Sequence, residues 1–166
     1  MQYNSENILQ FLQWVREKIK SGKLKTLRPL LPLFFKLKGK PYSIKNYFPF
    51  EPLFRVNIPR MMLLKTGRQV SKSTSLAAQS IMFASIIPYF STLYITPLYE
   101  MVRRFSHQYV REFIEKSPLK KIIMDEKCIN SVLQRSLKNG SIIYFSYALL
   151  DADRTRGIPA DKNVID

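Results

Sequence analysis

Apolar residues near the amino terminus recur at helical spacing. The spacing predicts a short amphipathic helix over residues 4–21, with Asn4 or Ser5 as the capping residue and Gly22 as the stop. The apolar positions that carry this prediction are Ile8, Leu9, Leu12, Val15 and Ile19.

The pattern changes after Pro59, where short apolar runs begin to alternate with helical stretches. Residues 61–65, 92–96, 141–147 and 163–166 are predicted as strands, and residues 73–87, 99–115 and 126–137 as helices. Asn139-Gly140 is typical of a tight turn. Such alternation predicts an α/β fold built from βαβ units around a parallel sheet.

The segment between these two regions, residues 23–45, combines many lysines with Pro29, Pro32 and Pro41, which predicts an irregular basic arm. Glu17 is the only acidic residue from position 16 to 45. The arm is either a solvated face or a surface that binds a polyanion. Its cations, counted with those at the end of the first helix, are Arg16, Lys18, Lys20, Lys23, Lys25, Arg28, Lys36, Lys38, Lys40 and Lys45.

Composition narrows the class of protein. With 166 residues and 46% hydrophobic content, the chain can bury a core and is not wholly disordered. A net charge of +15 implies attraction to nucleic acid or to an anionic membrane surface. A single cysteine, Cys128, excludes an internal disulfide and, with the lone His107, leaves no zinc-ligand spacing, so a reducing cytosol fits best.

Residues 76–98 are nearly continuous in apolar and small residues and approach the length of a membrane span. Pro88 and Pro97 divide this segment and Gln79 dilutes it, so we interpret it as a helix followed by a buried strand. Residues 1–7 are polar and do not indicate a signal peptide. We therefore expect no membrane partner.

Candidate chemistry is concentrated between the predicted strand at 61–65 and the helix that follows it. A strand–loop–helix context suits phosphate binding, because loop N–H groups and the helix N-terminus point at the same anion. Lys72 would contact the β- and γ-phosphates and the Ser73 hydroxyl would bind Mg²⁺. A plain connection capped by Ser71 or Ser73 is the alternative. The loop comprises Thr66, Gly67, Arg68, Gln69, Val70, Ser71, Lys72, Ser73 and Thr74.

This loop resembles the deviant Walker A motif of the large terminase family, the DNA-packaging ATPases of tailed bacteriophages, which carries an Arg-Gln pair before the lysine. The usual G-x-x-x-x-G-K-[ST] pattern has glycine where this chain has Thr66 and Ser71. Further similar stretches follow in the family's order across residues 48–166. They are Tyr94-Ile95-Thr96-Pro97, Asn139-Gly140-Ser141-Ile142-Ile143-Tyr144-Phe145, Thr155-Arg156-Gly157-Ile158-Pro159-Ala160-Asp161 and Asn163-Val164-Ile165-Asp166.

The resemblance implies a P-loop NTPase fold of the ASCE or RecA-like type, present as an incomplete parallel sheet with flanking helices. Residues 1–46 would form the N-terminal helix and basic arm, and residues 47–166 part of the ATPase domain. The implied cofactors are ATP and Mg²⁺. The implied partners are double-stranded DNA, a small terminase subunit, a portal protein and further copies in a ring, all in the host cytoplasm.

The resemblance also implies roles for individual residues. Lys72 and Ser73 would hold phosphate and metal, and Asp166, as the Walker B aspartate, would bind Mg²⁺ through water. Arg68 is either a cis arginine finger or a loop arginine paired with a carboxylate. Arg156 is either a nucleotide sensor or a surface turn residue. An aromatic side chain in residues 47–54 either stacks on adenine or forms a structural lid.

The family has a glutamate directly after the Walker B aspartate, and the sequence ends at Asp166. We therefore expect the 166-residue chain to bind ATP weakly and not to hydrolyse it at a useful rate, and the full-length family member to carry an endonuclease domain as well. Two other functions remain open. One is a helicase-like P-loop ATPase; the other is a non-enzymatic basic protein that binds nucleic acid or membrane through the arm.

Overall fold

A computed structural model describes residues 5–148 and 155–166 as a mixed α/β structure with a mostly parallel sheet and flanking helices. The helices are α1 (Ser5–Lys20), α2 (Leu31–Phe34), α3 (Lys72–Ile86), α4 (Tyr99–Arg104), α5 (Glu112–Lys116) and α6 (Lys120–Ile123). The strands are β1 (Lys36–Leu37), β2 (Lys40–Pro41), β3 (Ser91–Thr96), β4 (Gln134–Ser136), β5 (Ile142–Tyr147) and β6 (Lys162–Ile165). Segments Arg28–Leu30 and Lys45–Phe54 are 3₁₀-helical, and a π-helical segment, Phe105–Arg111, joins α4 to α5.

The main sheet has the strand order β4-β5-β3-β6. Strand β3 pairs in parallel with both β5 and β6, and Tyr94 lies opposite Phe145 on one side and Val164 on the other. The predicted α/β fold with a parallel sheet is therefore confirmed for these three strands. Because the three parallel strands run the same way, their carboxyl ends share one edge, and Asp166 follows β6 at that edge.

Helix α3 lies at the centre of the molecule, and every residue from Thr74 to Ile86 is buried. A helix buried on every face needs partners for its polar side chains, and the Ser80 and Ser85 hydroxyls donate to the carbonyl oxygens of Leu76 and Ile81. Helix α3 confirms the predicted helix at 73–87. Residues 76–98 divide, as predicted, into this helix and the buried strand β3. Among the described helices, none has the length and hydropathy of a membrane span.

The predicted first helix is confirmed as α1, although the capping candidate Asn4 lies outside the described residues. The basic segment that follows it is mostly irregular, as predicted, with a two-residue hairpin turn at Lys38-Gly39, where both φ angles are positive. Its apolar side chains, including Leu27, Phe35 and Ile44, join the same buried cluster as α3 and the sheet. The lysines project outward while the apolar residues fill one shared core.

The predicted strand at residues 61–65 is wrong: this segment pairs with no described strand. Met61 and Leu63 are almost fully exposed, at 88% and 89%, whereas Met62 and Leu64 pack against the core. Exposed and packed side chains alternate here as they would along a strand. A strand also needs a neighbouring strand that offers backbone hydrogen bonds. Here the backbone runs alongside β6 across a cleft instead of pairing with it.

The predicted helix at residues 126–137 is also wrong. Turns occupy its first half, and Gln134–Ser136 forms β4, antiparallel to β5. Arg135 is 2% exposed and donates to the carbonyl and hydroxyl oxygens of Ser106 at 3.2 and 3.1 Å. Burial lowers the pKa of Arg135 to about 10. Tertiary hydrogen bonds to β5 and Ser106 outweigh a modest local helical preference.

The remaining predicted elements are confirmed. The helix at 99–115 is continuous through α4, the π-helical segment and α5, and strands β3, β5 and β6 match the runs at 92–96, 141–147 and 163–166. The Asn139-Gly140 turn is present, with Gly140 at φ +82° and its N–H donating to Leu137.

Candidate functional site

The candidate site lies where the start of α3 meets the end of β6. The Lys72 ammonium contacts the Oδ1 atom of Asp166, although 94 residues separate them in the sequence. The Asp166 side chain is 12% exposed and that of Lys72 is 35% exposed. The structure therefore brings together two of the residues that the sequence predicts for phosphate and metal binding.

Asp166 is held by more than this ion pair. Its backbone N–H donates to the Ile95 carbonyl at 2.9 Å, which continues the β3–β6 ladder. Its second carboxylate oxygen, Oδ2, accepts a hydrogen bond from the Tyr94 hydroxyl at 2.8 Å. Burial, followed by the hydrogen bond and negative charge of Asp166, raises the pKa of Tyr94 above its usual value, so the phenol remains a donor.

The loop before α3 has an unusual backbone. Gln69 and Ser71 have φ angles of 60° and 63°, in the left-handed region that side-chain-bearing residues rarely adopt. Ser71 occupies the position where the phosphate-loop pattern has glycine, the residue best suited to that conformation. Strained positions of this kind cluster at functional sites.

The N-terminus of α3 has no side-chain cap: Ser71 occupies the capping position, and its hydroxyl makes no capping hydrogen bond. The plain connection capped by Ser71 is therefore not what forms. First-turn N–H groups without such a partner suit an anion, since the helix dipole favours negative charge at this end.

The other loop residues surround this helix start. Thr66, Gly67, Arg68 and Gln69 are exposed, whereas Val70 and Ser73 are partly buried and Thr74 is buried. Arg68 forms no ion pair with any residue of the described ranges, so the guanidinium is not held against a carboxylate there.

A cleft of about 630 Å³ extends from Lys72 and Asp166 along β6. Its other wall is the extended segment at residues 58–64, and its floor includes Leu76 and Phe83 of α3. A cleft of this size suits a small-molecule ligand. Its exposed lining is polar and apolar in about equal parts.

Neither Lys162 nor Tyr94 had a predicted role at the site, although Tyr94 begins the stretch at residues 94–97 that resembles the terminase family. Lys162 lies on β6 in this cleft, and its ammonium donates to the Gln79 side-chain oxygen, while the Gln79 amide donates to the Leu53 carbonyl at 2.6 Å. Burial lowers the pKa of Lys162 to about 7. The only sequence signal was position: both side chains stand in short strands beside a candidate motif.

Two predicted residues lie apart from the ion pair in sequence and fold. Arg156 is exposed in the turn before β6, which begins at Lys162, the opposite end of the strand from Asp166. In the segment Lys45–Phe54, Phe50 and Phe54 are buried in the core, whereas Phe48 is 73% exposed. Phe48 and Tyr47, which is 36% exposed, are thus the accessible aromatic rings of that segment.

Asp166 and Ser73 are the residues at this site that could contribute oxygen ligands to a metal ion. Within the described ranges, no three His, Cys, Asp or Glu side chains gather as a metal cluster. Magnesium in proteins commonly takes one or two carboxylates and completes its shell with water and substrate phosphates. Asp166 with Ser73 would supply the protein part of such a shell.

Comparisons with models of protein families, with curated proteins and with solved structures found no match.

Proposed function

We propose that the chain binds ATP and Mg²⁺ at the junction of α3 and β6, as part of an ATPase that moves double-stranded DNA. The observation that carries this proposal is the contact between Lys72 and Asp166. In phosphate-loop ATPases the loop lysine and the strand-end aspartate meet at the same phosphates and metal, so a contact between these two side chains supports the proposal.

Each residue then has a defined task. Lys72 would contact the β- and γ-phosphates, so it must leave Asp166, and its partly exposed side chain allows this exchange. Ser73 and Asp166 would hold Mg²⁺, which neutralises charge on the phosphates when bound. Arg68, exposed and without a carboxylate partner in the described ranges, is available to stabilise charge on the γ-phosphate.

Charge supports DNA as the partner. Lys20, Lys23, Lys36, Lys38 and Lys40 are all exposed, and none belongs to an ion pair in the part of the chain that the structure describes. Exposed, unpaired cations release counterions when they contact phosphates, which favours binding to a polyanion. The resemblance to large terminases makes packaging of a phage genome, with a small terminase subunit and a portal as partners, the specific form of this proposal.

The test is binding of a fluorescent ATP analogue to the 166-residue chain in the presence of Mg²⁺. We expect saturable binding that Lys72→Ala weakens at least about tenfold, because the lysine supplies a direct charge contact to phosphate. Lys65→Ala removes the same charge from an exposed position before the loop and should leave affinity within about twofold.

Two results would contradict the proposal. One is the absence of binding by the unmodified chain at millimolar nucleotide. The other is an equal loss in both variants, which would indicate non-specific attraction to a basic protein. If DNA binds with the same affinity whether or not nucleotide is present, the non-enzymatic polyanion-binding function would replace the ATPase.

A further inference from the structure

The carboxylate of Asp166 has two different partners, one on each oxygen. Lys72 contacts Oδ1, and the Tyr94 hydroxyl donates to Oδ2 at 2.8 Å. The Lys72 contact is partly exposed, whereas Tyr94 is 3% exposed. The two contacts therefore differ in how easily they can be exchanged.

The Tyr94 ring is fixed on two sides. It stacks on Phe105 with ring centroids 3.7 Å apart and planes 5° apart, and it meets Phe145 edge to face at 6.5 Å. Such packing leaves the phenol few alternative rotamers, so little side-chain entropy is lost when it donates a hydrogen bond. Phe105 begins the π-helical segment, which ties that segment to the site.

The backbone of Asp166 is fixed by the same strand. Its N–H donates to the carbonyl of Ile95, the residue next to Tyr94. Main chain and side chain are thus both oriented by β3, and the carboxylate can turn only by breaking a partly buried, charge-assisted hydrogen bond.

We propose that Tyr94 is a positioning residue for Asp166. Its hydroxyl holds Oδ2 and leaves Oδ1 directed at Lys72 and at the metal that accompanies the nucleotide. This inference rests on the proposed function. Groups that orient a metal-binding carboxylate act on metal affinity without touching the metal, because they remove the freedom of the ligand to turn away.

The experiment compares the unmodified chain with Tyr94→Phe and Tyr42→Phe, using ATP-analogue binding as a function of Mg²⁺ concentration. Tyr42 is a matched control, since it is also 3% exposed and its hydroxyl lies 2.9 Å from Ser75 Oγ, with no contact to Asp166. We expect Tyr94→Phe to raise the Mg²⁺ concentration at half-saturation about tenfold. Tyr42→Phe should change it less than about twofold, and binding in EDTA should be the same in all three proteins.

An unchanged Mg²⁺ midpoint in Tyr94→Phe would overturn the inference while leaving the proposed function intact. An equal loss with and without Mg²⁺ would also overturn it, because that result describes a general structural defect. Rescue supplies a second check: excess Mg²⁺ should restore Tyr94→Phe to full binding, as expected when only the metal term is weakened.

If the unmodified chain binds no nucleotide, the proposed function fails, and a double-mutant cycle still tests the contact. The cycle combines Tyr94→Phe with Asp166→Ala and measures unfolding in urea. We expect the effects on the unfolding equilibrium constant to be non-additive by at least about fivefold, in the range of hydrogen bonds to charged groups. Additive effects would show that Tyr94 does not orient Asp166.

Discussion

Lys162 is the residue at which burial and charge conflict most directly. Its ammonium has the Gln79 amide oxygen as a partner and no carboxylate within ion-pair distance in the described ranges. Burial disfavours the protonated form and lowers the pKa of Lys162 to about 7, whereas the pKa of a lysine in the unfolded chain is about 10.4. Between these values the unfolded state binds more protons, so stability should rise with pH.

Lys162→Met should therefore be more stable than the unmodified chain at pH 7 and below, by on the order of 2 kcal/mol in unfolding free energy. The advantage should shrink as pH rises from about 7 to about 10, because the cost of deprotonating Lys162 on folding falls with pH and disappears once the amine is neutral in the unfolded state as well. Urea unfolding at pH 6, 8 and 9.5 measures this difference, and contributions from other titrating groups cancel in the comparison.

Lys23→Met serves as the control, since Lys23 is exposed and has no ion pair with a described residue. It should show no pH-dependent difference from the unmodified chain. A constant advantage of Lys162→Met across the pH range would mean that packing, and not the buried charge, explains the effect.

At the scale of elements, the start of α3 combines a strained turn with a helix end. Ser71 adopts the left-handed region at φ 63° immediately before Lys72, the first residue of the helix. A side chain there costs about 1 kcal/mol relative to glycine, whereas glycine inside a helix costs about the same relative to alanine. Position within the element therefore decides the sign of a serine-to-glycine substitution.

Ser71→Gly should increase the unfolding free energy by about 0.5 kcal/mol, the net of relieved strain and the greater entropy of an unfolded glycine. Ser73→Gly, two residues later in helical backbone, should lower it by about 0.5 kcal/mol. Thermal unfolding monitored by circular dichroism measures both. Destabilisation by both variants would indicate that the Ser71 side chain makes a contribution larger than its backbone strain.

The two wrong element predictions share one cause at this scale. Residues 61–65 have the alternation of a strand but no neighbouring strand to pair with. Residues 126–137 have helical spacing, but part of this segment pairs with the edge of β5 as β4. In both, the outcome depended on hydrogen-bond partners far away in sequence. The confirmed elements, such as α3 and β5, are those whose local pattern and tertiary surroundings agree.

At the scale of the whole molecule, a net charge of +15 is distributed unevenly between paired and unpaired cations. Lys116 and Lys120 pair with Glu112 and Glu115. The hairpin lysines Lys36 and Lys40 are exposed without such partners among the described residues. Polyanion binding should therefore depend more on the two hairpin lysines than on Lys116 and Lys120, although the two sets of lysines carry the same charge.

Replacing Lys36 and Lys40 with glutamine should reduce the slope of log affinity for a short DNA duplex against log salt by up to about 1.8, or about 0.9 for each lost phosphate contact. Fluorescence anisotropy between 50 and 200 mM salt measures the slope. The matched control replaces Lys116 and Lys120 with glutamine, and its slope should stay close to that of the unmodified chain. Equal slopes in the two variants would mean that total charge alone governs binding.

The candidate site was predictable in parts. The loop around Lys72 and the strand-end Asp166 were both recognisable in the sequence because each has a local pattern of its own. Tyr94 lies in a stretch that resembles the terminase family and Lys162 does not, but neither side chain had a predicted role, since a tyrosine or a lysine in a short strand has many ordinary explanations. Their importance comes from their contacts. Tyr94 contacts a residue 72 positions away in the sequence, and Lys162 contacts one 83 positions away.

The sequence by itself determined α3, the strands β3, β5 and β6 and the basic surface. These depend on periodicity, charge and turn chemistry, which act between near neighbours. The tertiary structure alone decided that Lys72 meets Asp166, that Tyr94 holds the other carboxylate oxygen, and that Arg135 leaves a helical pattern for a strand. Those outcomes depend on burial and on hydrogen bonds between distant segments, whose free energies exist only once the chain has folded.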